Sequence, residues 1–242
     1  MITNKEIKHI KSLRQKKNRI KNNMFIAEGD KTISELIKHN FNILRIYSTN
    51  NNLIYDAITI ISKLDLSKIS NLSNPKDSVA IFEIPTINKI DSSKLIISLD
   101  GINDPGNLGT IIRLCDWFGI KDIVCSKDTV DCYNPKVVQS SMGSISRVNI
   151  TYLELNNFLH QINVPVYGTF TQGDSIFSKN SIKEGVLLFG NEANGISDKL
   201  LKFIDVKISI PRFGELKKTE SLNVANATAI ILAENSRKII ER

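Results

Sequence analysis

The chain has 242 residues, 41% hydrophobic and 24% charged, which suits one large or two modest globular domains. Its net charge of +7 and pI of about 9.2 favour a polyanionic partner such as nucleic acid. No apolar run approaches the roughly 18–20 residues of a membrane span, Cys115, Cys125 and Cys132 form neither a CxxC pair nor an even set for disulfides, and His9, His39 and His160 lack metal-site spacing.

The opening MITNKEIKHIK lacks the apolar stretch of a signal peptide, so a cytoplasmic location is expected. Lys5, Lys8, Lys11, Arg14, Lys16, Lys17, Arg19 and Lys21 crowd this first segment, with Glu6 its one acid. Such a run is either a solvated helix face or a phosphate-binding surface. The overall basic balance favours contact with RNA or DNA phosphates, carried by Lys11, Arg14, Lys16, Lys17 and Arg19. Asp30 is placed to cap a helix through Ile33, Leu36 and Ile37. "ILRIYS" (43–48) and "VAIFEI" (79–84) read as strands, and "LIYDAITIISKL" between them as helix. Residues 1–84 thus form a small α/β domain, and the polar "PTINKIDSSK" (85–94) reads as a linker.

From residue 95 to 242 the rhythm changes. Strands are expected at 95–100, 122–126, 164–170, 185–190 and 205–211, alternating with helices at 108–118, 135–142, 152–162 and 222–240. Alternation of this kind predicts a parallel sheet covered on both faces, with its chemistry at the carboxyl ends of the strands.

Three loops there carry unusual content. "LDGINDPGNLGTIIR" combines Gly106 and Gly109, which permit tight turns, with Asn107 and Arg113; it is neither a Walker loop nor a GxGxxG fingerprint. "LLFGNEANGIS" places Glu192 between two turn glycines, either as a solvated acid or as an oriented site carboxylate. "ISIPRFGELKKTESLNVANATAIILAE" (208–234) runs from a strand through a loop into a long helix. Ser221 or Thr219 is the expected N-cap, and Asn223 falls in the first turn, beside Lys217 and Lys218.

These three loops resemble, in order and spacing, motifs one, two and three of the SpoU (TrmH-like) branch of the SPOUT RNA methyltransferases. "NPKVVQSSMGSI" (134–145) is similar to the segment that branch carries between motifs one and two. The resemblance covers residues 95 to 240. More loosely, "FIAEGDKTISELI" with the basic segment before it is similar to the family's RNA-binding domain. The resemblance implies transfer of a methyl group from S-adenosyl-L-methionine to a ribose 2′-OH of rRNA or tRNA. It further implies a sheet whose C-terminal segment threads a trefoil knot, and a homodimer that completes the site. Gly190, Ile210 and Leu222 would then touch the cofactor, with Thr169 near it. Asn107 and Arg113 match motif one, Glu192 motif two, and Ser221 and Asn223 motif three. Ala193 stands where many relatives have Gly, and Gln139 where many have Arg; Asn226 and Thr228 make the helix start more polar than usual.

Two readings from other classes remain beside it. A non-catalytic RNA-binding or ribosome-assembly protein would keep the fold without binding cofactor. A nucleotide-dependent oxidoreductase would need a glycine fingerprint that "LDGINDPGNLG" does not supply.

Overall fold

The computed structural model describes residues 2–51, 55, 58–178, 181–214 and 220–241. Helix α1 (Asn4–Ser12) starts at a reciprocal cap. Thr3 Oγ1 accepts from the Glu6 amide at 3.2 Å, and the Glu6 carboxylate accepts from the Thr3 amide at 2.8 Å. Then follow α2 (Lys16–Asn22), β1 (Met24–Glu28), α3 (Asp30–Lys38), β2 (Ile43–Ser48), β3 (Ile58–Ile60), α4 (Lys63–Ile69) and β4 (Ser78–Glu83). Their sheet runs β1-β4-β2-β3, with β4 antiparallel to both neighbours and β3 parallel to β2. Ile10, Leu13, Ile26, Ile69 and Val79 fill its core.

Two expectations fail in this region. The helix read over 53–64 is not there: the β-branched Ile58–Ile60 joins the sheet edge, and α4 begins only after Ser62, whose Oγ accepts from the Asp65 amide at 3.0 Å. Residues 53, 54, 56 and 57 of that stretch lie outside the described residues. Asp30 is not a cap either. Gly29, at φ 86°, takes the N-cap position, and the Asp30 carboxylate accepts from the Ser78 hydroxyl instead.

The chain continues through β5 (Leu95–Leu99), α5 (Pro105–Trp117), β6 (Asp122–Cys125), α6 (Pro135–Ser141), β7 (Asn149–Tyr152), α7 (Leu155–Gln161), β8 (Val166–Phe170) and β9 (Asp174–Ser175). It ends with β10 (Gly185–Phe189), α8 (Asp198–Leu201), β11 (Val206–Ser209) and α9 (Val224–Ile240). Seven strands form one sheet in the order β7-β6-β5-β10-β8-β11-β9, and every pairing is parallel. The five expected strands are present. β7 and β9 are additional; the first residues read as helix 152–162 belong instead to β7 and the turn after it. On one face Ile96, Val124, Val166, Val186 and Leu188 pack with Leu155 and Leu159 of α7 and Leu200 of α8. Alternation along the strands turns Ile97, Leu99, Leu187 and Phe189 to the other face. Helices α5 and α9 pack against each other.

Contacts divide these elements into two units, Met1–Thr86 with Asp131–Arg147, and Ile87–Val130 with Val148–Arg242. The segment bearing α6 therefore belongs to the first unit. Val137 and Val138 of α6 are buried, α6 packs on β1, and the Tyr133 ring lies 4.7 Å from that of Phe25. Among the described residues no helix is long and apolar enough to cross a membrane, and no cluster of His, Cys, Asp or Glu could hold a metal ion. The three cysteines are buried and form no disulfide with one another, and burial pushes the Cys115 and Cys125 thiols far above their usual range.

Candidate active site

The second unit gathers its polar residues at the carboxyl ends of β5, β10 and β11. After β5 the chain turns through Gly101, at φ 72°, and α5 begins at Asp104, whose Oδ1 accepts from the Asn107 amide at 2.8 Å. That cap presents the Asn107 side chain from the first helical turn. After β10 the backbone folds back so tightly that a Cβ on Gly190 would lie 2.1 Å from the carbonyl carbon of Gly195. Asn191 and Gly195 exchange two backbone hydrogen bonds of 2.9 Å. Asn191 Oδ1 also accepts from the amides of Ala193 (2.9 Å) and Asn194 (3.1 Å), while its Nδ2 donates to Gly101 O at 2.6 Å. One asparagine thus shapes the loop and ties it to the turn after β5.

The loop carries Glu192 to Asn107, whose Nδ2 donates to Glu192 Oε1 at 2.8 Å. Asn107 Oδ1 in turn accepts from Asn223 Nδ2 at 2.8 Å. Residues from three distant loops therefore form one chain, Asn223–Asn107–Glu192, with both amides oriented by their partners. Asn223, rather than Ser221, caps α9: its Oδ1 accepts from the amides of Ala225 (3.0 Å) and Asn226 (3.2 Å), and the helix starts at Val224. Thr219, the other expected cap, lies outside the described residues, as do Lys217 and Lys218.

Beside this chain opens a cavity of about 1200 Å³, lined by the ends of β8, β10 and β11 and by α9. Thr169, Gly190, Ile210 and Leu222 all face it, together with Glu192 and Ser221. Thr169 is fixed by donating to Leu188 O at 3.1 Å. Ile210 and Leu222 make no backbone hydrogen bond to any described residue, so their amide and carbonyl groups remain available to a ligand. Arg113 stands apart: it is exposed, does not line the cavity, and has no hydrogen-bond or ion-pair partner among the described residues. It lies six residues, about 9 Å of helix, beyond Asn107. One turn further on the same face, Trp117 is 84% exposed.

In the first unit Lys11, Arg14, Lys16 and Lys17 are exposed, as a phosphate-binding surface requires. Arg19 is a correction. Its side chain is 2% exposed, its guanidinium pairs with Asp131 at 2.5 Å, and it donates to the carbonyls of Leu13 (2.9 Å) and Arg14 (2.8 Å). Every face of that group is spent inside the protein, which leaves nothing for a phosphate. Sequence reasoning also missed Asn191 and Asp100. The Asp100 carboxylate, buried at the end of β5, accepts from the Ser197 amide at 2.7 Å and so holds the far side of the loop after β10. An Asp closing an apolar strand, and an Asn opening an NxxNG turn, were the available signals.

The SpoU rRNA Methylase family matches residues 94–233, and the MRM3-like substrate binding domain matches residues 4–80. Among curated relatives, the 23S rRNA (guanosine(2553)-2′-O)-methyltransferase RlmP of Bacillus subtilis is 29% identical over 245 residues, covering 95% of this chain and 95% of its own. Among solved structures, a chain from Porphyromonas gingivalis assigned to the TrmH family of RNA methyltransferases superposes with a TM-score of 0.88 at 33% identity, covering 98% of this chain and 99% of that one. The AdoMet-bound rRNA methyltransferase from Sinorhizobium meliloti superposes with a TM-score of 0.87 at 28% identity, covering 98% and 96%.

Proposed function

The chain belongs to the SpoU rRNA Methylase family and is an S-adenosylmethionine-dependent RNA 2′-O-methyltransferase; on that premise we propose that its substrate is structured RNA, large-subunit rRNA before tRNA. The observation that carries the reading is the Asn223–Asn107–Glu192 chain standing at a cavity bordered by Gly190, Ile210 and Leu222. S-adenosylmethionine fits that cavity. The volume suits a nucleoside joined to an amino acid, the unpaired backbone groups of Ile210 and Leu222 can meet its polar edges, and the side-chain-free bend at Gly190 brings backbone close. When bound, it supplies a methyl group on a sulfonium, so attack by oxygen neutralises charge rather than building it.

The protein is left with alignment and with one proton. Alignment through effective concentration can supply several of the roughly 7–11 kcal/mol open to positioning. Glu192 and Asn223, held by Asn107, border the place for the ribose, and Ser221 lines the same wall. Arg113 acts as a phosphate clamp that lowers the 2′-OH pKa electrostatically, since a guanidinium seldom gives up its proton, and the hydroxyl proton leaves to solvent water. Its distance from Asn107 and the exposed Trp117 on its face support a homodimer in which a second copy completes the site. The same reading puts residues 1–84 on the RNA, with Asp131–Arg147 of the same unit beside them, 85–94 as linker and the rest of 95–242 as the transfer domain, in the cytoplasm.

A trefoil knot through the C-terminal segment belongs to this proposal as well. Its support is the return of α9 to the stretch before β10, where Asn235 accepts from the Ile182 amide at 2.6 Å and donates to its carbonyl at 2.9 Å.

The test is methyl transfer from labelled S-adenosylmethionine to unmodified rRNA and tRNA transcripts, with 2′-O-methyl sites mapped in cells lacking the protein. Arg113→Ala should bind cofactor almost normally and lose at least about a hundredfold in turnover. Absence of cofactor binding in the wild type would favour the non-catalytic RNA-binding reading.

A further inference from the structure

Gln139 is half-buried on α6, and its amide has no hydrogen-bond partner among the described residues. That leaves its donor and its acceptor both open to a ligand. It lines a second cavity of about 190 Å³, wholly within the first unit. Ile26, Leu72 and Pro135 give that groove an apolar floor, and Asn71 and Lys136 stand at its rim. Glu28 beneath is fully occupied, accepting from the Ser70 hydroxyl (2.5 Å), the Asn71 amide (2.7 Å) and Asn71 Nδ2 (2.8 Å). It therefore anchors the groove wall through Asn71.

Two cations flank the groove. Lys136 is exposed, and its ammonium has no partner among the described residues. Arg14 is exposed and donates to Ser70 O at 2.7 Å, one residue before the groove-lining Asn71.

We infer that this groove is a subsite for one unpaired nucleobase of the RNA substrate, read by the Gln139 amide, with the adjoining phosphates held by Lys136 and Arg14. The size fits: 190 Å³ falls below the roughly 300–1,000 Å³ of drug-sized sites and leaves room for a single ring system. The chemistry fits as well, because sequence-selective RNA recognition takes splayed bases by their edges, and a Gln amide pairs bidentately with the N6/N7 edge of adenine. Arg at position 139 would read phosphate; Gln reads a base. The inference rests on the first unit being the RNA-docking unit.

The experiment uses the full chain, with fluorescence anisotropy over a salt series on labelled oligoadenylate and on an abasic strand of equal length, the two compared at equal salt. The wild type should prefer the base-bearing strand, and Gln139→Leu should reduce that preference about tenfold while leaving abasic binding unchanged. Ser140→Phe, which fills the groove, should do the same. Lys136→Ala should weaken both strands alike and lower the salt slope by about one. Cofactor affinity and the thermal melt of each variant confirm folding. Equal binding of the two strands by the wild type, or an intact preference in Gln139→Leu, overturns the groove alone. Failure of the wild type to bind either strand overturns the RNA-docking reading beneath it.

Discussion

Gly190 sits where no side chain fits, because the loop after β10 returns to within 2.1 Å of its notional Cβ. Gly190→Ala must push Gly195 and Ile196 outward, displacing Glu192 from Asn107 and opening the cavity wall. The expected outcome is at least a tenfold weaker calorimetric affinity for S-adenosylmethionine with the protein still folded; unchanged affinity would sink that account of the bend. A glycine at that place was visible in "LLFGNEANGIS", but the reason for it was not, since the obstacle is backbone five residues on. Likewise the count of basic residues in the first segment could not separate Arg19 from Lys17. Both are cations on α2, and only the partner 112 residues away decides that one is buried.

Elements were legible in proportion to their burial. β5 and β10 are buried at every residue and read as nearly unbroken apolar runs bounded by polar turns, which a parallel sheet demands. β7 is half-buried at every residue and sits at the sheet edge, so "NITY" carries no such signal. β3 hides in a stretch whose apolar spacing also fits a helix. At the start of α9 the residue types were right and the cap, read as Ser221 or Thr219, was placed two or four residues early. Asn223 does two jobs there, its Oδ1 capping the helix and its Nδ2 reaching Asn107. Asn223→Asp separates them, because Asp caps as well as Asn but has no N–H to donate. Urea unfolding should move by less than about 0.5 kcal/mol, whereas methyl transfer should fall at least tenfold; parallel loss of both would mean the cap is the whole story.

Helix α1 offers a pH test of its own cap. Glu6, held by the Thr3 hydroxyl and amide and helped by Tyr47 and Arg45, titrates at about 2 instead of 4.5. A depressed carboxylate stabilises fully above its unfolded-state value and loses that contribution as pH falls from about 4.5 towards 2. Protection of α1 amides from exchange should decline through that window and become flat in Glu6→Gln.

At the scale of the molecule, the first unit is discontinuous. Removing residues 1–86 uncovers Val137, Val138 and Tyr133 and strands Asp131, so truncation is a poor probe of RNA binding and single substitutions are better. Arg19→Ala removes one partner of a buried pair and should cost about 3–5 kcal/mol in chemical denaturation. Lys11→Ala, on the surface, should leave stability unchanged and weaken RNA binding. If Arg19→Ala unfolds like the wild type, the Arg19–Asp131 pair does not hold the unit together.

The same discontinuity sets an order of events at birth. The ribosome releases residues up to 86 long before Asp131–Arg147, and at about 5–20 residues per second the wait until Arg147 is roughly 3–12 s. For most of it Arg19 lacks the Asp131 carboxylate and Phe25 lacks Tyr133 to lie against, and β5 and β6 emerge before β10, the strand that centres their sheet. The nascent chain therefore leaves the exit tunnel with both halves unfinished, and slower codons between 86 and 131 would lengthen its exposure to proteases and chaperones.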